Sequence, residues 1–126
     1  MTEPLAEIVV EHPNDGSSTT VTLIGEIDAT NSAWLSTRLN ELADPTNQLS
    51  IDLTRLVYID SQGMRMIQAL ADRHHRGSLD LTIIADPANI VWQLLVITGL
   101  DRVVPIRRPT DSTPGSSGTP TPTLNQ

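Results

Sequence analysis

Apolar residues recur along the chain in two alternating rhythms, and their order predicts the fold class. Residues 5–11 carry Ile8, Val9 and Val10 and read as a strand, followed by turn chemistry in His12-Pro13-Asn14-Asp15-Gly16. In residues 20–24, Thr20, Thr22 and Ile24 alternate with Val21 and Leu23, so a second strand should set one face on a core and leave the other partly exposed. Leu35, Leu39 and Leu42 follow at i, i+4 and i+7, the stripe of an amphipathic helix that Thr30 or Asn31 can cap and Asp44-Pro45 can stop. Arg38 and Glu41, three residues apart on another face, are placed to pair in solvent.

The second half repeats the alternation. Residues 49–53 read as a short strand, and residues 56–59 continue the apolar run after Thr54-Arg55. Gly63, Met66, Ile67, Leu70 and His74 then form the stripe of a helix from Ser61 to about Arg76, with Arg65, Gln68 and Asp72 opposite and Gly77 to end it. Residues 79–85 predict another strand. Asp86-Pro87 has the form of a helix start, Asp86 capping and Pro87 in the first position, where its missing N–H costs nothing. Ile90, Val91, Leu94, Leu95, Val96 and Ile97 then occupy most of the circumference, which predicts burial on more than one side or a hydrophobic surface for a partner. Gly99 can stop this helix, Leu100 can fold back on its last turn, and residues 103–106 predict a final strand. The expected fold is α/β: a mixed sheet of about five strands with helices mainly on one face, in one domain over residues 1–108. Residues 109–126 are mostly Pro, Thr, Ser and Gly, with Asp111 as the one charge and Leu124 as the one large aliphatic residue, a composition that predicts a disordered tail.

Composition narrows the function. A chain of 126 residues suits a single core, and without Cys there is no disulfide framework, thiolate metal site or cysteine nucleophile. The net charge of -7 opposes nonspecific binding to DNA or RNA, and with only Trp34, Trp92 and Tyr58 there is no row of stacking platforms for single strands. No apolar run is long enough to cross a bilayer and the N-terminus has no signal-peptide pattern, so the expected location is cytoplasmic.

Candidate chemistry gathers at Tyr58-Ile59-Asp60-Ser61-Gln62-Gly63-Met64. There the end of a buried segment meets two good capping residues and a glycine that allows close approach in the first helical turn. Ser61 either caps the helix or presents its hydroxyl at the positive end of the helix dipole, beside N–H groups with no intrahelical partner, a setting that tolerates phosphate. A hydrolase role has little support, because His74 would lie roughly 20 Å from Ser61 along the same helix and nothing in the sequence positions His12 as a base. The adjacent His74 and His75 diverge by about 100° and make no metal site. No phosphate-binding glycine loop is present, and no catalytic residue, cofactor or metal is expected.

Three stretches in register resemble the STAS domain of bacterial anti-sigma-factor antagonists. They are Gly25-Glu26-Ile27-Asp28 followed by an amphipathic helix, Leu53 with the stretch from Tyr58 to Met64, and Thr98-Gly99-Leu100, together covering about residues 5–107. The resemblance implies a non-enzymatic switch that, when unphosphorylated, binds an anti-sigma factor with a kinase-like ATP-binding fold and so frees a sigma factor. It also implies that this partner phosphorylates the Ser after the motif Asp, which is Ser61 here, and that a phosphatase reverses the modification. Asp28, Asp60, Gln62, Gly63, Met64 and Arg65 are the expected partner-binding residues, with Gln62 and Met64 on the exposed rim. Where the family has Ser or Thr followed by Gly-Leu-Gly, this chain has Gln62-Gly63-Met64-Arg65, and Arg65 adds a cation within a turn of Ser61. The alternative is an unphosphorylated STAS interaction subunit of a lipid-transport or stress-signalling assembly, with Ser61 only a cap.

Overall fold

A computed structural model describes residues 6–12 and 18–109. The elements run β1 (Ala6–Glu11), β2 (Ser18–Ile27), α1 (Ser32–Leu42), β3 (Gln48–Asp52), β4 (Leu56–Ile59), α2 (Ser61–His75), β5 (Asp80–Ile84), α3 (Ile90–Ile97) and β6 (Ile106–Arg107). A single 3-10 turn, Leu100–Arg102, lies between α3 and β6. The turn expected over residues 12–16 and the tail expected over residues 109–126 lie, apart from His12 and Pro109, outside the described residues.

The six strands form one mixed sheet in the order β1-β2-β3-β5-β6, with β4 paired to β2. Only β1 runs antiparallel to its neighbour. The sequence suggested about five strands because residues 49–59 read as one interrupted run. The interruption is real: β3 pairs with the first half of β2 and β4 with its last three residues. The change of partner falls at Gly25, where the register shifts. Gly25 has φ 102, a left-handed conformation that a side chain would strain. Its N–H meets the Arg55 carbonyl at 3.3 Å, tying the step in β2 to the turn before β4.

The alternation in β2 survives as packing: Thr19, Val21 and Leu23 are buried while Thr20, Thr22 and Ile24 are half-buried. That is the signature of a sheet covered on one face. In β5 all of Leu81, Thr82, Ile83 and Ile84 are buried, so this strand is covered on both faces, whereas β3 beside it keeps the alternation. The core is aliphatic, built from Val21, Leu23, Leu35, Leu39, Ile51, Ile67, Leu81 and Leu95 among others. On α1, Leu35 and Leu39 are buried and Leu42 is half-buried. The Arg38–Glu41 pair forms at 3.4 Å and is exposed.

Three local expectations are corrected. Helix α3 begins at Ile90 with Asn89 as its cap, not at Pro87. Asp86 instead holds a turn, accepting from Ala88 N–H through Oδ1 and from Asn89 N–H through its carbonyl. The final strand is only Ile106–Arg107, because Leu100 turns into the 3-10 segment and Val103 and Val104 close that turn. Tyr58 is not the end of a buried segment, since it and Val57 are exposed while Leu56 and Ile59 point inward. The expected glycine stops are present at Gly77 and Gly99, both with positive φ.

Candidate functional site

The parallel strands β2 and β4 end side by side. Ile27 and Ile59 are register partners, and Asp60 N–H donates to the Ile27 carbonyl at 3.0 Å. Asp28 and Asp60 therefore follow equivalent residues on neighbouring strands, which lie about 4.8 Å apart in any sheet. The acidic rim expected from strand ends converging is thus formed by the register itself.

Each Asp is held by a different local structure. Asp60 is the N-cap of α2, with φ -99 and ψ -172, and its Oδ1 accepts from Gln62 N–H at 2.9 Å and from Gly63 N–H at 3.0 Å. Asp28 Oδ1 accepts from the Thr30 backbone N–H at 2.9 Å and from the Thr30 hydroxyl. Those donors, the Thr30 hydroxyl first, hold the Asp28 carboxyl below its ordinary value of 3.8. Asn31 ties the loop back rather than capping α1 through its side chain: its Oδ1 accepts from Asp28 N–H and its Nδ2 donates to the Glu26 carbonyl.

Asp60, and not Ser61, does the capping. Ser61 is the first residue of α2, exposed, and its hydroxyl makes no hydrogen bond with any described residue. Two of the N–H groups expected to stand free beside it, those of Gln62 and Gly63, are already taken by the Asp60 carboxylate.

The following residues divide by depth. Gln62 and Arg65 are exposed, whereas Gly63 and Met64 are buried, so Met64 does not stand on the rim as expected. Gly63 lies where α2 crosses the ends of β2 and β4. A Cβ there would come within 2.5 Å of Ile59 Cγ1 and 2.8 Å of Ile27 Cγ2, so only glycine lets the helix sit this close. Met64, 7 % exposed, forms part of a groove of about 360 Å³ between the start of α2 and α3. Its wall on the α2 side is Ser61, Arg65 and Gln68, one stripe at i, i+4 and i+7, and Leu94 and Thr98 of α3 face them. Gln68 was legible as a partner of Ser61 from helical spacing alone. Leu94 and Thr98 were not, because they come from a helix remote in sequence.

A larger cleft of about 470 Å³ lies at the start of α3 among Thr54, Arg55, Val57, Asp86, Asn89 and Ile90. Its polar groups are mostly engaged in structure: Asn89 donates through Nδ2 to the Leu56 carbonyl and accepts through Oδ1 from Val91 N–H. Among the described residues no group of three or more His, Asp or Glu is placed to hold a metal ion. Among them, too, no helix is long and apolar enough to cross a membrane.

The chain that folds into this mixed sheet and rim is matched over residues 7–113 by the family model for the STAS domain. The chain belongs to the STAS family. Among solved structures it is similar to an anti-sigma factor antagonist from Mycobacterium paratuberculosis, with TM-score 0.69, 21% identity, and coverage of 85% of this chain and 90% of the other. It is also similar to the anti-sigma factor antagonist SpoIIAA in its unphosphorylated form, with TM-score 0.64, 12% identity and coverage of 91% and 100%. The phosphorylated form of SpoIIAA, described as a Bacillus cell fate determinant, gives TM-score 0.62 at 12% identity, with coverage of 86% and 98%. At these identities the likeness is one of fold. No curated protein matches the sequence.

Proposed function

We propose that this chain is an anti-sigma-factor antagonist acting by binding rather than catalysis in the cytoplasm. Unphosphorylated, it binds an anti-sigma factor with a kinase-like ATP-binding fold, which frees a sigma factor for transcription. Phosphorylation of Ser61 by that partner ends the interaction, and a phosphatase restores it. Asp28, Asp60, Gln62 and Arg65 meet the partner directly, while Gly63 and Met64 set the shape of the groove beneath. The observation that carries this reading is the Ser61 hydroxyl, exposed at the start of α2 and relieved of capping by Asp60. A phosphate there adds about -1.5 to -2 charges next to two carboxylates, so binding is lost through local repulsion and desolvation while the fold persists. The solved relatives support the reading, since one of them is described in both phosphorylated and unphosphorylated forms.

The test is calorimetric titration of the unmodified chain, Ser61→Ala and Ser61→Glu against the host's anti-sigma factors of kinase-like fold. Ser61→Ala should bind like the parent, and Ser61→Glu should lose at least tenfold, about 1.4 kcal/mol, with an unchanged circular dichroism spectrum. Equal binding by Ser61→Glu and by a phosphorylated sample contradicts the electrostatic switch.

A second reading is favoured by the apolar residues left in solvent on β4 and α3: Val57, Tyr58, Ile90 and Ile97. They suit a constitutive STAS interaction subunit of a lipid-transport or stress-signalling assembly. Binding that Ser61→Glu leaves intact and Ile97→Ser abolishes would select it.

A further inference from the structure

We propose that Arg65 is the internal counter-charge of the phosphate on Ser61, a clamp that folds the modified side chain back along α2. The inference rests on Ser61 being the modified residue, and adds how the modified state is held.

Three observations carry it. First, the helix start has little left to offer a phosphate, because Asp60 Oδ1 already holds Gln62 N–H and Gly63 N–H. An anion placed on Ser61 meets the Asp60 carboxylate as an immediate neighbour and, across the strand ends, Asp28. It therefore needs a cation from elsewhere. Second, Arg65 is the residue that supplies one. It lies four residues after Ser61 on the same helix, with both side chains on the wall of the same groove. Residues so spaced have Cβ atoms about 5–6 Å apart, and an anion N-terminal to a cation at i, i+4 is the favourable order. The guanidinium fork matches phosphate oxygens bidentately, which an ammonium cannot do. Third, Arg65 is uncommitted: it is exposed, and the ion pair found among the described residues is Arg38–Glu41. Arg73, farther along α2, is by contrast engaged with Asn40 Oδ1 at 3.0 Å.

The consequence is a change of shape as well as charge. In the unmodified chain Arg65 lines the groove with Met64, Gln68 and Leu94. Drawn toward a phosphate on Ser61, it shifts along that wall away from Gln68, so the partner meets a partly neutralised but remodelled surface. Loss of binding then depends less on salt than pure repulsion would require.

Phosphoserine encoded directly at position 61 tests the clamp without any kinase, in the full chain. The readout is the pH midpoint of the phosphate's second ionisation, near 6 for a free group, followed by phosphorus NMR. Arg65 favours the dianion, so Arg65→Gln should raise the midpoint by more than about 0.3 unit. Arg65→Lys should recover part of the difference. Arg76→Gln should leave the midpoint unchanged, because Arg76 sits roughly 22 Å away along the helix. A rise smaller than about 0.3 unit in Arg65→Gln, or an equal rise in Arg76→Gln, overturns the clamp. Failure of any anti-sigma kinase to modify Ser61 would count against the proposed function instead, since the encoded group reports on Arg65 in either case.

Discussion

Helices α2 and α3 occupy similar places, each crossing between parallel strands, β4 to β5 and β5 to β6, yet they present opposite surfaces. Helix α2 buries Gly63, Met66, Ile67, Leu70 and Ala71 and keeps Ser61, Gln62, Arg65 and Asp72 in solvent. Helix α3 buries only Val91 and Leu95 and leaves Ile90, Val96 and Ile97 exposed, Ile97 at 77%. A sharply amphipathic helix anchored by a cap fixes its polar face in space, which suits a group that is to be modified. A short helix apolar on most sides has area to offer a partner and little chemistry. The groove between them joins the two surfaces, with Ser61 and Arg65 on one wall and Leu94 on the other.

The contrast can be broken most strongly in the core of α2. Ile67 is fully buried, so Ile67→Ala should cost about 2–5 kcal/mol in denaturant unfolding, a fall in midpoint at constant m. Gly63→Ala should follow, at about 1–3 kcal/mol, because the added methyl meets Ile59 and Ile27 at distances that force the helix outward. That loss would appear although alanine has the higher helix propensity, and a stabilised Gly63→Ala would show that α2 has room to move. On α3 the same logic gives a small number: Ile97→Ser should change stability by no more than about 0.5 kcal/mol, while weakening any partner that uses the apolar surface.

Sequence reasoning captured this division only in part, for reasons visible in single residues. The strands and the α2 stripe were legible because alternation and i, i+4 spacing are local. The start of α3 was not: Asp86-Pro87 satisfies every local rule for a helix start, but Asn89 takes over because its amide also reaches the Leu56 carbonyl on β4. Asp60 and Ser61 were equivalent capping candidates, and only the backbone geometry at Asp60 shows which side chain turns inward. Met64 looked like a rim residue because its neighbours are polar. Its burial depends on α3, more than 20 residues away in the chain. The nearness of Asp28 and Asp60 is a matter of sheet register, which no local pattern encodes.

The smallest expected effect lies on the rim and depends on pH. The Thr30 hydroxyl and N–H lower the Asp28 carboxyl pKa in the folded chain. A carboxyl lowered on folding stabilises above its unfolded pKa, and that contribution is lost as pH falls through the folded value. The loss should therefore fall below about pH 3.8, the ordinary value from which Asp28 is shifted. Thr30→Val removes the hydroxyl donor, so Asp28 should titrate at higher pH by carboxyl NMR with almost no change in stability at neutral pH, as suits an exposed group. An unchanged Asp28 titration would assign the shift to the backbone donor alone.

In the proposed function Ser61 is the group through which binding is switched. The most direct measurement is intact mass after incubating the unmodified chain and Ser61→Ala with the host's kinase-fold anti-sigma factors, ATP and magnesium. The unmodified chain should gain one phosphate and Ser61→Ala none. No gain in the unmodified chain, or the same gain in both, would contradict a switch at Ser61 and leave the STAS fold with a surface that binds but does not switch.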